Sequence, residues 1–408
     1  MSYEQIEGGV TAPAGFRAIG FAAGIKYDRK DMAMLYSDVP CAAAGTFTTN
    51  VVKAAPVIWD RDIIMHRGKV QAVVVNSGIA NACTGEQGMA YCRESAQTAG
   101  EVLGIDPMLV LTASTGVIGA QLPIDRICNG IRKMSPLLSE STEAGTMAAQ
   151  AIMTTDTKKK EAAVRTQIGG KTVTIGGMSK GSGMIHPNMC TMLAFLTTDC
   201  AISQEMLQKA LSADILTTYN MISVDGDTST NDTCILMANG MAGNTPITEE
   251  GPDYQAFCEA LNAVNTYLAR HMAADGEGAS CLFEVKVNGA KDHADAVTLA
   301  KSVVTSNLVK TAIAGHDANW GRILCAMGYS GVNFDPEKVD LFFESEEGSL
   351  QIIQSGIATG YSEETATRIL SAPEVTARIE MNAGSGEATA WGCDLTHEYI
   401  SINADYRS

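Results

Sequence analysis

Positive charge is scarce in this sequence: 29 Lys and Arg face 46 Asp and Glu across 408 residues, a formal net charge of -17. A duplex-binding protein displays a basic face, and the only basic cluster here is Lys158–Lys159–Lys160, beside acidic residues. Nucleic acid is therefore excluded as the expected partner. No apolar stretch reaches the roughly 20 residues of a membrane span, so no membrane association is expected. The 11 cysteines include no C-x-x-C pair and no Cys/His group at zinc spacing, so neither a disulfide framework nor a metal site is expected. Free thiols in that number suit a reducing cytosol. The start, MSYEQIEGGVTAPAGF, lacks the basic residues and apolar core of a secretory signal, and a cytoplasmic location is the expectation.

Internal repeats, low-complexity tracts and a linker rich in Pro, Gly or Ser are missing as well. So are the nucleotide-binding loops. SerLysGlySerGly at 179–183 does not have the order of a P-loop, and no G-x-G-x-x-G opens a strand–helix unit near the N-terminus. DGDTSTND at 225–232 begins like a calcium loop but lacks its sixth-position Gly and has Leu236 where a bidentate Glu belongs.

What is present is a globular composition, 46% hydrophobic and 18% charged, which argues against disorder. At this length two domains or two interleaved halves are expected. Val70–Asn76 reads as a buried strand, and Gln87 to Leu103 carries apolar residues at helical spacing. Leu109–Thr112 reads as a strand ending in an AlaSerThrGly turn at 113–116. Asp253–Ala273 and His293–Val309 read as helices, and Leu282–Val287 as a strand. Mixed elements throughout place the chain in the layered α/β (α+β) class.

The most irregular stretch is Gly176–Asn188, GGMSKGSGMIHPN, followed by Thr191–Thr198, which reads as a strand buried on both faces. A surface loop entering a sheet is one reading of this junction. In the other, Thr191 becomes a new N-terminus. A threonine hydroxyl is a weak nucleophile without an adjacent base, and a free α-amine with a pKa of about 8 supplies one. Exposing that amine requires cleavage of the Cys190–Thr191 bond, with the Thr191 hydroxyl attacking the Cys190 carbonyl and water hydrolysing the ester.

KGSGMIHPNMCTMLAFLTTD at 180–199 closely resembles the cleavage-site signature of the ornithine acetyltransferase (glutamate N-acetyltransferase, ArgJ) family. GVTAPAGF at 9–16, AAGTFTTN at 43–50, NSGIANACTG at 76–85, TASTGVIG at 112–119, IMTTDT at 152–157, SVDGDTSTND at 223–232, DGEGAS at 275–280 and GHDANWGRI at 315–323 resemble further blocks in the same order. So does the C-terminal ATAWGCDLTHEYISINADYRS.

The resemblance implies a layered fold of the ornithine acetyltransferase (DmpA/ArgJ-like) type, similar to N-terminal-nucleophile folds. It implies an α chain of 1–190 and a β chain of 191–408 that stay associated, paired again into a heterotetramer. Thr191 matches the nucleophile, Thr115 and Gly116 the oxyanion-binding pair, and Thr154, Lys180, Thr191, Glu277, Asn403 and Ser408 the substrate contacts. The implied reaction is ping-pong transfer of acetyl from N²-acetylornithine to glutamate. No metal or organic cofactor is implied, and acetyl-CoA is a further co-substrate in some members. Lys180 suits a substrate carboxylate and Glu277 a cationic amine.

Four positions depart from the family pattern. Cys190 replaces an alanine before the nucleophile, His186 a small residue, Ile79 an asparagine and Cys281 a lysine. The last two remove polar groups and bear on acyl specificity. An amidase or aminopeptidase that hydrolyses its acyl-enzyme, and an uncut binding protein, remain the alternatives.

Overall fold

The structure, a computed structural model, describes residues 3–186 and 192–405. The expected cleavage site Cys190–Thr191 and the expected substrate contact Ser408 lie outside the described residues. In chain order the first strands are β1 (Tyr3–Ile6), β2 (Phe16–Phe21), β3 (Met32–Phe47), β4 (Lys69–Ile79), β5 (Val110–Val117), β6 (Lys160–Ile168), β7 (Lys171–Lys180) and β8 (Leu193–Thr198). They are followed by β9 (Ile222–Ser223), β10 (Thr233–Ala238), β11 (Leu282–Ala290), β12 (Asp340–Ser345), β13 (Gly348–Gln354), β14 (Ile357–Ala358), β15 (Glu374–Glu380) and β16 (Gly386–Cys393).

Among the described residues these strands form two sheets. The nine-stranded sheet runs β1-β6-β7-β8-β10-β3-β4-β5, with β2 also on β3, and the seven-stranded sheet runs β14-β13-β12-β15-β11-β16-β9. The parallel pairs β4–β5 and β8–β10 require crossovers, supplied by the helices Glu86–Leu103 and Gln204–Thr217. The architecture is thus mixed α/β in layers, as the composition of elements implied.

The nine-stranded sheet separates two hydrophobic cores. Leu193 and Phe195 of β8, with Ile235 and Met237 of β10, enter the core built with helices Ala55–His66, Glu86–Leu103 and Ile124–Met134. Their neighbours Ala194, Leu196, Cys234 and Leu236 enter the other core, shared with Pro252–Ala274 and with the inner face of the seven-stranded sheet. Because successive side chains of a strand point to opposite faces, one apolar run serves both cores.

Most expected elements are found, with three corrections. β5 does not stop at Thr112. It continues through AlaSerThrGly to Val117, because Ser77 and Gly78 of β4 remain in register with Thr115 and Gly116. The loop expected over 176–188 begins later, since Gly176–Lys180 are the end of β7. A Cβ on Gly176 would lie 2.0 Å from the Gly9 carbonyl oxygen, so glycine there answers to a close backbone approach inside a strand. The helix expected over 293–309 is two, His293–Val304 and Asn307–Ala314, because the Ser306 side chain caps the second by accepting from Val309 N.

Candidate active site

β7 and β8 are adjacent and antiparallel, and the chain leaves the end of one and enters the start of the other across residues 181–192. The end of β5 opens on the same region. A cavity here is lined by Thr115, Gly116, Thr154, Lys180 and Glu277, with Asn403 from the C-terminal helix His397–Ala404. Residues spread over nearly three hundred positions of sequence therefore share one wall, and each was expected in the site. Thr191 and Ser408 are not placed, lying outside the described residues.

The end of β5 that carries Thr115 and Gly116 has little freedom. Gly116 has φ +131°, and a Cβ there would sit 2.2 Å from the Gly78 carbonyl carbon, so only glycine lets β4 and β5 approach this closely. Thr115 is half-buried at the cavity edge. A hydroxyl and a backbone N–H at such a strand end can both point at one oxygen.

The floor is ionic. Lys160, at the start of β6, places its ammonium 2.7 Å from Asp156 Oδ1 and 2.6 Å from Asp275 Oδ2, with all three side chains buried. Asp156 also accepts from Thr154 N at 3.0 Å and Gly181 N at 2.7 Å. Burial works against the Asp156 charge, but Lys160 and Lys180 outweigh it and hold the carboxyl well below the usual carboxylate range. Asp275 accepts from Thr157 N at 3.1 Å and Lys158 N at 3.2 Å. One network thus anchors Thr154, Gly181 and the segment preceding Glu277.

Lys180 is 7% exposed, lines the cavity and lies close enough to Asp156 to help hold that carboxyl ionised. Glu277, between Gly276 and Gly278, is buried: its N–H donates to Ser182 O at 2.9 Å and its Oε2 accepts from Asn403 Nδ2 at 2.7 Å. Asn403 belongs to the helix His397–Ala404. A carboxylate and an ammonium lining one cavity can orient a zwitterionic or doubly charged small molecule.

The segment upstream of residue 187 is clamped by Asp225. Its carboxylate accepts from Met184 N at 2.6 Å and Ile185 N at 2.9 Å, and Tyr399 donates its hydroxyl to it at 3.2 Å. The acidic stretch dismissed as a calcium loop is therefore a backbone anchor. His186 sits with its Nδ1 3.1 Å from Ser223 Oγ, and burial, with the charge of Lys301, holds its pKa below the ordinary histidine value.

Sequence reasoning missed Ser229, Asn231 and Asp232 as individuals, although the block containing them was noted. Ser229 and Asn231 line the cavity. Burial pushes the Asp232 carboxyl well above the usual range, against hydrogen bonds that include one from Met192 N, and its Oδ2 has no partner. Of the departures, Ile79 packs on the core beside β4 and Cys281 is buried, its thiol pushed up to about 12 by burial. Neither lines the cavity, so the expectation that they bear on acyl specificity finds no contact there. Among the described residues, no group of three or more His, Cys, Asp or Glu is placed to hold a metal ion, and no helix is long and apolar enough to cross a membrane.

Comparison with known proteins identifies the lineage. Residues 17–408 match the model of the ArgJ family. The arginine biosynthesis bifunctional protein ArgJ of Symbiobacterium thermophilum is 54% identical over 408 residues, covering 99% of this chain and 100% of its own. That of Thermotoga neapolitana is 49% identical over 397 residues, covering 97% and 99%. A solved ornithine acetyltransferase from Mycobacterium tuberculosis, complexed with ornithine, is 40% identical over 46% of this chain and 98% of its own, with a TM-score of 0.43. The chain belongs to the ArgJ family, and with it to the acetyltransferase enzymes.

Proposed function

We propose that the chain cleaves itself before Thr191 and then moves acetyl groups from N²-acetylornithine to glutamate, within arginine biosynthesis. The observation that carries this reading is the convergence of Thr115, Gly116, Thr154, Lys180, Glu277 and Asn403 on one cavity at the β7–β8 junction. The names of the close relatives and the bound ornithine of the Mycobacterium tuberculosis enzyme support the substrate class.

In the proposed cleavage the Thr191 hydroxyl adds to the Cys190 carbonyl carbon, its proton moving to the departing Thr191 nitrogen. Water hydrolyses the ester, leaving a Cys190 carboxylate and a free Thr191 amine. In transfer, that amine takes the hydroxyl proton while the Thr191 oxygen adds to the acetyl carbonyl carbon. The developing oxyanion is met by the Thr115 hydroxyl and the Gly116 N–H, a kind of donor whose removal costs on the order of 10²–10³ in rate. The amine returns the proton to ornithine, which leaves, and the glutamate α-amine then attacks the acetyl ester. Lys180 meets the α-carboxylate, and Glu277, steadied by Asn403, meets the ornithine side-chain ammonium.

Two halves, 1–190 and 191–408, would stay together after the cut. β8 and β10 from the second half lie between β7 and β3 from the first, so separation would break the middle of a sheet. The likeness to the family extends the reading to a heterotetramer in the cytoplasm, with no cofactor and with acetyl-CoA as a possible second acetyl donor.

Intact mass under denaturing conditions, followed by an acetyl-transfer assay, tests the proposal. Two fragments beginning at Met1 and Thr191, and N-acetylglutamate formed from N²-acetylornithine, are expected. Thr191→Ala should remain one chain and transfer nothing. A fragment beginning at Cys190 would move the nucleophile. Release of free acetate without N-acetylglutamate would favour a hydrolase, and a single uncut, inactive native chain would overturn the reading.

A further inference from the structure

We infer that Asn231 is a positioning residue that holds the Thr115–Gly116 end of β5 in its oxyanion-binding geometry; this rests on the proposed role of that pair. Asn231 is 7% exposed and lies on the loop leading into β10. Its Nδ2 donates to Ala80 O at 2.6 Å and to Ser114 O at 2.7 Å. Two carbonyl acceptors leave no choice about which end of the amide carries the nitrogen. The Oδ1 accepts from Thr230 Oγ1 at 2.6 Å, and the Asn231 N–H donates to Ser229 Oγ at 3.2 Å. Every polar atom of the side chain is thus engaged.

The two carbonyls flank this strand end. Ser114 directly precedes Thr115, and because the peptide unit is planar, fixing the Ser114 oxygen fixes the direction of the Thr115 N–H. Ala80 follows β4, and its own N–H donates to Val117 O at 2.9 Å, just beyond Gly116. Asn231 therefore holds the chain directly before Gly116, at Ser114, and through Ala80 just after it, around a glycine at φ +131° that has no side chain with which to hold itself. On the side away from the cavity, Ser114 Oγ donates to Asn76 Oδ1 at 2.6 Å, so this end of β5 is restrained from two directions.

The same short loop reaches the nucleophile's strand. Two residues on, Thr233 N donates to Met192 O at 2.8 Å, and Met192 is bonded to Thr191. Asn231 thereby ties the oxyanion-binding end of β5, in the first half of the chain, to the register of β8 and β10 in the second. Misplacing reacting groups by about 1 Å can cost on the order of 10²-fold in rate, so such a tie should be felt in turnover rather than in substrate affinity.

The test uses the full chain, with rates expressed per acetylatable site so that misfolded molecules do not count. Asn231→Ala and Asn231→Asp should lower kcat by roughly 10- to 100-fold. The aspartate should be worse, since it turns an acceptor oxygen toward two carbonyls. KM for N²-acetylornithine should stay within about twofold. In a Thr115→Ala background the effect of Asn231→Ala should shrink, because one of the two donors it positions is gone. Asn231→Ser, which keeps one donor, should be intermediate and carries the test if the larger changes prevent folding. A rise in KM at constant kcat, an unchanged kcat per site, or effects that multiply fully with Thr115→Ala would each overturn the inference. An inactive native enzyme would count against the proposed function instead, and is read separately from these ratios.

Discussion

The two sheets bury their strands differently. Every residue of β8 and β10, at the centre of the nine-stranded sheet, is buried, whereas β12 and β15 of the seven-stranded sheet bury only alternate residues. On its open face the seven-stranded sheet carries Glu284, Phe342, Glu344, Thr376, Arg378 and Glu380, with Arg378 bonded to Glu344 at 2.9 Å and Glu380 at 2.7 Å. The candidate site lies at the strand ends of the doubly covered sheet. That placement has a physical reason: a buried cation–carboxylate network and a fixed glycine need low dielectric and rigid neighbours, which a sheet wet on one face supplies less well.

The contrast makes graded predictions. The largest effect should come from Lys160→Met, which strands two buried carboxylates under the site. A loss of about 3–5 kcal/mol is expected from denaturant titration, and a loss below about 1 kcal/mol would mean that the ionic floor is not structural.

Next, Leu196→Ala in β8 should cost about 3 kcal/mol, while Thr376→Ala on the open face of β15 should stay within about 0.5 kcal/mol. Equal costs in thermal or chemical denaturation would break the comparison.

A third prediction concerns Asp214, on the helix Gln204–Thr217 that covers the nine-stranded sheet. Burial pushes its carboxyl up to about 6, despite hydrogen bonds from Asn265, Asn262 and Thr218. A folded-state pKa above the unfolded one stabilises the fold at pH below about 4, and that contribution is lost as pH rises through about 6. Asp214→Asn should therefore gain on the native chain by roughly 2 kcal/mol between pH 4 and pH 8, measured as the difference of the two stability curves. Asp156 has the opposite sign: its depressed carboxyl stabilises at neutral pH, and that contribution is lost on acidification.

The smallest effect belongs to the open face. Arg378 stacks 3.9 Å from the Phe342 ring centroid and pairs with two half-exposed glutamates. Arg378→Ala should cost at most about 1 kcal/mol, less at high salt, and should leave acetyl transfer unchanged.

Local pattern was a good guide where one element decides its own form. The helix at Glu86–Leu103 and the strand at Lys69–Ile79 follow from periodicity and β-branched runs, and the burial of Leu193–Thr198 from its unbroken apolar run. It failed where the deciding partner is distant. GlyGlyMetSerLys at 176–180 has the composition of a loop, yet Gly9 and β8 close on it and make it a strand. Of the site, the motif blocks already named Thr115, Gly116, Thr154, Lys180, Glu277 and Asn403. They did not reveal Asn231, whose role exists only because Ala80 and Ser114 lie within reach of its amide.

Sequence by itself determined the class of the chain, its family and the chemistry of its candidate residues, because side-chain type and local spacing are properties of short segments. Tertiary structure alone decided that Glu277, within its turn, is a buried carboxylate, and that Asn403 is its support. It also decided that β8 and β10 lie between β7 and β3 in one sheet. Those outcomes depend on contacts between residues more than a hundred positions apart, and only the closing of two cores around one sheet brings such residues together.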